Sequence, residues 1–129
     1  MLHDLLIQYL DNVESAVQNL DDVYIERYEE EILTPDRVNL RIRVRFAKGH
    51  LLELNEALFI ESGAIRSLGY RYHFQNINNT LVFRYDNTPH YPNLKTSPHH
   101  KHIANDVIPT EKPSIPAVLL EAIEKIASV

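Results

Sequence analysis

Along the first 20 residues apolar side chains return every three or four positions. Leu2, Leu5, Leu6, Tyr9, Leu10, Val13, Val17 and Leu20 form this series, with Asp4, Gln8, Asp11, Glu14 and Gln18 between them. That spacing predicts an amphipathic helix, ended by Asp21-Asp22. The period then shortens to two. Val23 to Leu33 is rich in branched and aromatic residues, and Val38, Leu40, Ile42, Val44 and Phe46 alternate with Asn39, Arg41, Arg43 and Arg45. Leu52, Leu54, Leu58 and Ile60 oppose Glu53 and Asn55, with Glu56 interrupting the apolar series. Tyr70, Tyr72 and Phe74 oppose Arg71, His73 and Gln75, and Leu81, Phe83 and Tyr85 oppose Val82, Arg84 and Asp86. Strict alternation marks half-buried strands. Thr34-Pro35-Asp36, Lys48-Gly49, Gly63 and Asn78-Asn79 supply turn chemistry between the runs, and connections this short join antiparallel neighbours.

From Thr88 to Pro113 the periodicity is lost. Five of the seven prolines lie there, at 89, 92, 98, 109 and 113, which predicts a stiffened loop without regular structure. A loop of that length in a small domain is functional or disordered, and Tyr91, Leu94, Ile103, Val107 and Ile108 are available to anchor it. Ser114 is placed to cap a last helix, with Ile115, Leu119, Ile123 and Ile126 on one face and Val118 and Ala122 beside it. The expectation is an α+β domain over residues 1–129: a five-stranded antiparallel β-meander with an N-terminal and a C-terminal helix.

Composition narrows the chemistry. The absence of cysteine excludes disulfides, thiolate metal sites and cysteine nucleophiles. No apolar run approaches the roughly 20 residues of a membrane helix, and the opening Met1-Leu2-His3-Asp4 lacks the basic stretch of a signal peptide. A cytoplasmic protein with no membrane partner is expected. The net charge of −5 is unevenly spread. Residues 1–61 hold 13 acids and six bases, residues 62–110 hold two acids and five bases, and residues 111–129 hold three acids and two bases. The middle block is therefore at +3 and also carries five of the seven histidines, so it is the part suited to an anion. The glutamates at 26, 29, 30 and 31 are expected to face Arg41, Arg43 and Arg45 across two strands as a structural ladder.

Three readings of the middle block stay open. Arginine with histidine suits phosphodiester chemistry, because cations stabilise phosphate oxygens and imidazoles exchange protons near neutral pH. Alternatively, His100 and His102 point the same way if the segment is extended, and with Asp86 or His90 they form a candidate metal set. In the third reading the histidines hold the loop's shape. Arg84 and Asp86 share a strand face, and His73 joins them only if the Asn78-Asn79 hairpin sets the register that way. Gly49, Gly63 and Gly69 form no phosphate loop, and Ser62, Ser67 and Ser97 lack a nucleophile-elbow context. His3 and His50 are expected to be solvated, and the loop histidines to contribute little to folding.

The runs Tyr72-His73-Phe74-Gln75, Leu81 to His90 (LVFRYDNTPH) and Ser97 to His102 (SPHHKH) resemble the TumE family of toxin–antitoxin toxins. The Pro113-Ser114 opening of the last helix fits the same family. The resemblance implies a small prokaryotic toxin encoded beside a neutralising antitoxin, and antitoxins of this family are similar to helix-turn-helix proteins. It carries Arg84, Asp86, His90, His99, His100, Lys101 and His102 over as site residues, together with His73. The leading expectation is a toxin acting on RNA by metal-independent acid–base chemistry, with no cofactor. The alternatives are a non-enzymatic toxin or binding module that blocks a macromolecular partner, and a metal-dependent phosphodiesterase using Asp86, His100 and His102. A homo-oligomer is compatible with either.

Overall fold

The computed structural model describes residues 1–128. Helix α1 (Asp4–Gln18) buries Leu6, Leu10, Val13 and Val17 and is capped by the His3 imidazole, which accepts from the Leu5 amide at 3.1 Å. Seven strands follow: β1 (Val23–Thr34), β2 (Arg37–Phe46), β3 (Leu51–Glu61), β4 (Ala64–Gln75), β5 (Leu81–Asp86), β6 (His100–Ile103) and β7 (Asp106–Pro109). Helix α2 (Ile115–Ala127) follows the last strand. The strands pair in chain order in one sheet, and every pairing is antiparallel. Among the described residues no helix is long and apolar enough to cross a membrane.

The meander therefore has seven strands and not five. The two additional strands lie in the segment read as an irregular loop. Each has only four residues, too few for an alternation to show, and β6 spells His-Lys-His-Ile, in which polar residues occupy both faces. The backbone turns between them at Ala104, at φ +49°. Elsewhere the turns behave as their residues require. Asn79 has φ +63° in the β4–β5 hairpin. Gly49 has φ +95° between β2 and β3, where a Cβ would meet Ile77 at 2.5 Å.

Both helices cover one face of the sheet. Alternation sends Val38, Leu40, Ile42 and Val44 of β2, Leu52, Leu54 and Leu58 of β3, and Tyr70, Tyr72 and Phe74 of β4 into that core. Phe83 and Tyr85 of β5 extend it under α2. The Ser114 hydroxyl accepts from Ala117 N at 3.2 Å, as expected of a cap. The buried stripe of α2 is Ile115, Val118, Leu119 and Ala122, whereas Ile123 is exposed. The other face of the sheet is free of helices. There the predicted ladder forms in part, with Arg43 and Arg45 on Glu26 at 2.7 and 3.0 Å and Arg41 on Glu29 at 3.3 Å, whereas Glu31 accepts from Asn39 and Glu30 lies near Glu14 and Asp11.

Glu56 does not interrupt the alternation of β3; it continues it as a buried carboxylate. Ser67 Oγ donates to it at 3.1 Å, Lys112 Nζ lies 2.8 Å away, and the Tyr9 hydroxyl donates a short hydrogen bond. Burial and then the Glu56 charge push the Tyr9 pKa far up, which keeps its proton in place. Lys112 also lies over the Tyr70 and Tyr72 rings. This network ties α1, β3, β4 and the approach to α2 together. Removing one partner of a buried pair leaves the other charge uncompensated. Lys112→Met is therefore predicted to cost about 3 kcal/mol in urea unfolding, with part restored by adding Glu56→Gln. A loss no larger than that of an ordinary surface substitution would show that water replaces the lysine.

Candidate functional site

Two cross-strand rows on the open face build the site. Register places Arg71 opposite Asp86 and Asp86 opposite His100; one step along, His73 is opposite Arg84 and Arg84 opposite His102. Directly opposed residues share a face, so three strands deliver six polar side chains to one area. The hairpin register left open in the sequence is thus the one that brings His73 beside Arg84. Behind these rows Tyr72, Phe74, Phe83 and Tyr85 occupy the core.

Asp86 is the hub. Its Oδ1 accepts from Thr88 N at 2.9 Å and lies 2.9 Å from His100 Nε2, while its Oδ2 accepts from Arg84 Nε at 3.2 Å. Both Asp86 and His100 are buried. The other nitrogen of His100, Nδ1, donates to the Pro98 carbonyl at 2.9 Å. Both ring nitrogens of His100 thus face acceptors, and the contact with Asp86 closes only with a proton on Nε2 or on the carboxyl group.

His102 is arranged differently. Arg84 Nη2 is 3.2 Å from its Nε2. A guanidinium only donates, so this nitrogen presents a lone pair and a neutral ring carries its proton on Nδ1. Burial, and then the Arg84 charge, hold the His102 pKa below its ordinary value, with Asp86 acting in the opposite sense. The His73 pKa is likewise lowered, chiefly by burial, although its hydrogen bond with Gln75 opposes the shift.

A cavity of about 200 Å³ opens onto this cluster, lined by Arg71, Arg84, Asp86, His100 and His102, with Thr88, His90 and Tyr91 contributed by the loop after β5. The Tyr91 ring meets the His100 and His102 rings edge-on, at 4.9 and 5.9 Å between centroids. His90 is exposed at the rim. The structure thus gathers Arg84, Asp86, His90, His100 and His102, with His73 alongside. It sets His99 and Lys101 apart. His99 stacks on Tyr70 and is hydrogen-bonded to its hydroxyl, whereas Lys101 Nζ lies 2.5 Å from Glu121 and over the Tyr85 ring. Arg71 and Tyr91 complete the cavity although neither stood out as a site residue. Arg71 precedes His73 by two on the same strand face, and Tyr91 sits between two prolines.

Asp86, His100 and His102 place one ligand atom each within 4.8 Å of one another, so they could hold a metal ion. The His100–Pro98 bond would orient a ligand imidazole. The Arg84 guanidinium, however, already engages Asp86 Oδ2 and His102 Nε2, two of the atoms such an ion would use. The expectation that the histidines matter little to folding is corrected for His100, which is 2% exposed. Nor are His3 and His50 simply solvated: one caps α1 and the other stacks on Phe74 at 5.3 Å.

An antiparallel sheet covered by helices on one side, with an Arg/Asp/His cleft on the other, defines a small single-sheet protein with a polar working face. The chain belongs to the TumE toxin family, whose model, described as Toxin TumE, matches residues 13–129. It is a toxin of a toxin–antitoxin system, and its partner is a cognate antitoxin. Neither the comparison with curated proteins nor that with solved structures finds a match.

The lowered histidine pKa values set a sign for stability against pH. His73 and His102 resist protonation in the fold, so the unfolded chain takes up more protons as the pH drops. Their stabilising contribution is complete above the ordinary histidine value of 6.5 and declines below it. Titration by NMR should place both midpoints below 6.5. The double variant His73→Gln, His102→Gln should lose less stability than the parent between about pH 7.5 and 5. Midpoints at or above the ordinary value would contradict the burial argument.

Proposed function

We propose that this toxin acts on RNA as a metal-independent ribonuclease. The observation that carries the reading is the 3.2 Å contact between Arg84 Nη2 and His102 Nε2 at an accessible cleft. It puts a proton acceptor and a phosphate-binding cation side by side. When a phosphate draws Arg84 Nη2 away from His102 Nε2, the released Nε2 takes the proton of a ribose 2′-hydroxyl, whose oxygen forms a bond to the adjacent phosphorus. The bond from phosphorus to the 5′-oxygen breaks, and that oxygen leaves with a proton supplied by His90 at the rim. Arg84 offsets the charge gathering on the phosphate oxygens. Asp86 and His100 are positioning residues: their buried contact fixes the carboxylate that aims Arg84. His73 borders the cluster as the cross-strand neighbour of Arg84.

Defined RNA incubated with purified toxin should yield 2′,3′-cyclic phosphate and 5′-hydroxyl ends in the presence of chelator. His102→Gln and Arg84→Ala should each lower the rate by about 10²-fold or more, with the melting temperature of His102→Gln close to that of the parent. The acid limb of kcat/KM against pH should have its midpoint below 6.5, following the shift of His102. RNA left intact by an excess of toxin that still stops growth would assign a stoichiometric blocking role instead. Activity abolished by chelator and restored by a divalent ion would assign the metal reading, which the closeness of Asp86, His100 and His102 favours.

A further inference from the structure

Beside the cleft, on the same open face, lies a second depression of about 380 Å³, within the range of small-ligand pockets. Arg71 and Thr88 line both. Its floor is made of two of the smallest residues, Ala57 and Gly69, which are opposed across β3 and β4. A Cβ on Gly69 would approach nothing closer than Asn87 Oδ1 at 3.9 Å, so the floor is open and not packed from above.

Three carboxamides surround that floor, on Asn39, Asn55 and Asn87. Their remaining hydrogen-bonding capacity differs. Asn87 Oδ1 accepts from the Tyr70 amide at 3.1 Å, which leaves its two N–H donors available. Asn39 Nδ2 donates to Glu31 at 3.1 Å, which leaves its oxygen available. The Asn55 amide enters no side-chain hydrogen bond among the described residues and offers both donor and acceptor. Asn55 also stands in the row that continues through Arg71 and Asp86 to His100. Neighbouring strands are roughly 4.8 Å apart, so the amide is about 10 Å from the Asp86 strand.

Charge separates this part of the face from the ladder. Arg43 and Arg45 are neutralised by glutamates, and Arg41 by Glu29. Arg71 enters no ion pair among the described residues, although Asp86 is its cross-strand neighbour. It is an uncommitted cation standing between the amide-lined depression, whose other arginine, Arg41, is paired with Glu29, and the Arg84–His102 contact. A ligand matching that order has a flat polar ring, then an anion, then the reacting bond. We infer that this depression is a subsite for an unpaired nucleobase of single-stranded RNA, read at its edge by the three asparagines, with Arg71 holding the intervening phosphate. The inference deepens the ribonuclease reading and rests on it for the identity of the ligand. It assigns Arg71 and Asn55 as specificity-determining residues.

The experiment is a fluorescence-anisotropy titration with labelled adenosine, cytidine and uridine tetranucleotides carrying 2′-fluorine, which cannot be cleaved through the 2′-oxygen. The full chain should bind one of the three about tenfold more tightly than the weakest, the scale of one amide–base pair. Ala57→Val with Gly69→Val fills the floor and should level the three affinities, while binding stays salt-dependent. Asn55→Ala leaves the floor intact and should shrink the preference, which guards against misfolding of the filled variant. Arg84→Ala should keep the preference. Equal affinities in the parent, or a preference untouched by both the filling and the Asn55 substitutions, would overturn the subsite. A preference lost on filling, in a toxin that cleaves no RNA, would uphold the subsite and sink the ribonuclease reading alone.

Discussion

Register between β4, β5 and β6 is the constraint from which the working face follows. In an antiparallel sheet the side-chain period is two, so a slip of one residue exchanges the faces. Such a slip in β5 would turn Phe83 and Tyr85 outward and drive Arg84 and Asp86 under the helices. The apolar partners prevent it, because Tyr72, Phe74 and Phe83 are all fully buried against α1 and α2. The polar rows are thus aligned from behind, by packing that never touches a ligand. That arrangement suits a site whose members must be held at hydrogen-bonding distance, since core side chains settle into few rotamers.

The two halves of the open face use arginine in opposite ways. Between β1 and β3, Arg27, Arg41, Arg43 and Arg45 meet carboxylates, in partly exposed pairs that are individually weak. Past β4 the acids run out. Asp86 must serve Arg84, His100 and the Thr88 amide at once, and it is buried while doing so. Positive potential consequently accumulates over the β4–β6 region even though the whole chain is acidic. The helix-covered face has its own charged pair, Glu56 with Lys112, which binds the segment leading into α2 to the middle of the sheet.

Most of the sheet was legible because β2 to β5 alternate without ambiguity, and the glutamate ladder followed from the signs of the charges on β1 and β2. What stayed hidden was short or contrary to type. Strands β6 and β7 are four residues each, and the pairing that defines them comes from β5 and not from their own pattern. Glu56 breaks an apolar series in the sequence, yet three partners distant in the chain let it continue into the core. The histidine pair 100/102 was readable as a unit once extended, but their inequality was not. Asp86 and the Pro98 carbonyl take up both ring nitrogens of His100, whereas Arg84 fixes Nε2 of His102 as an acceptor. His99 and Lys101 illustrate the same limit. They lie in the same run of basic residues, and strand alternation carries Lys101 to the opposite face, where Glu121 receives it.

The position of β6 in the chain has a consequence for the cell that makes the protein. Arg84 and Asp86 are translated well before His100 and His102, and the cluster is absent until β6 docks on β5. A chain whose synthesis has not reached β6 therefore lacks the cluster, whatever part of the sheet has formed. Prematurely ended products that stop short of residue 100 contain neither imidazole and cannot assemble the cleft. The cleft is thus the last part of the open face to be assembled, and only chains that carry β6 present it.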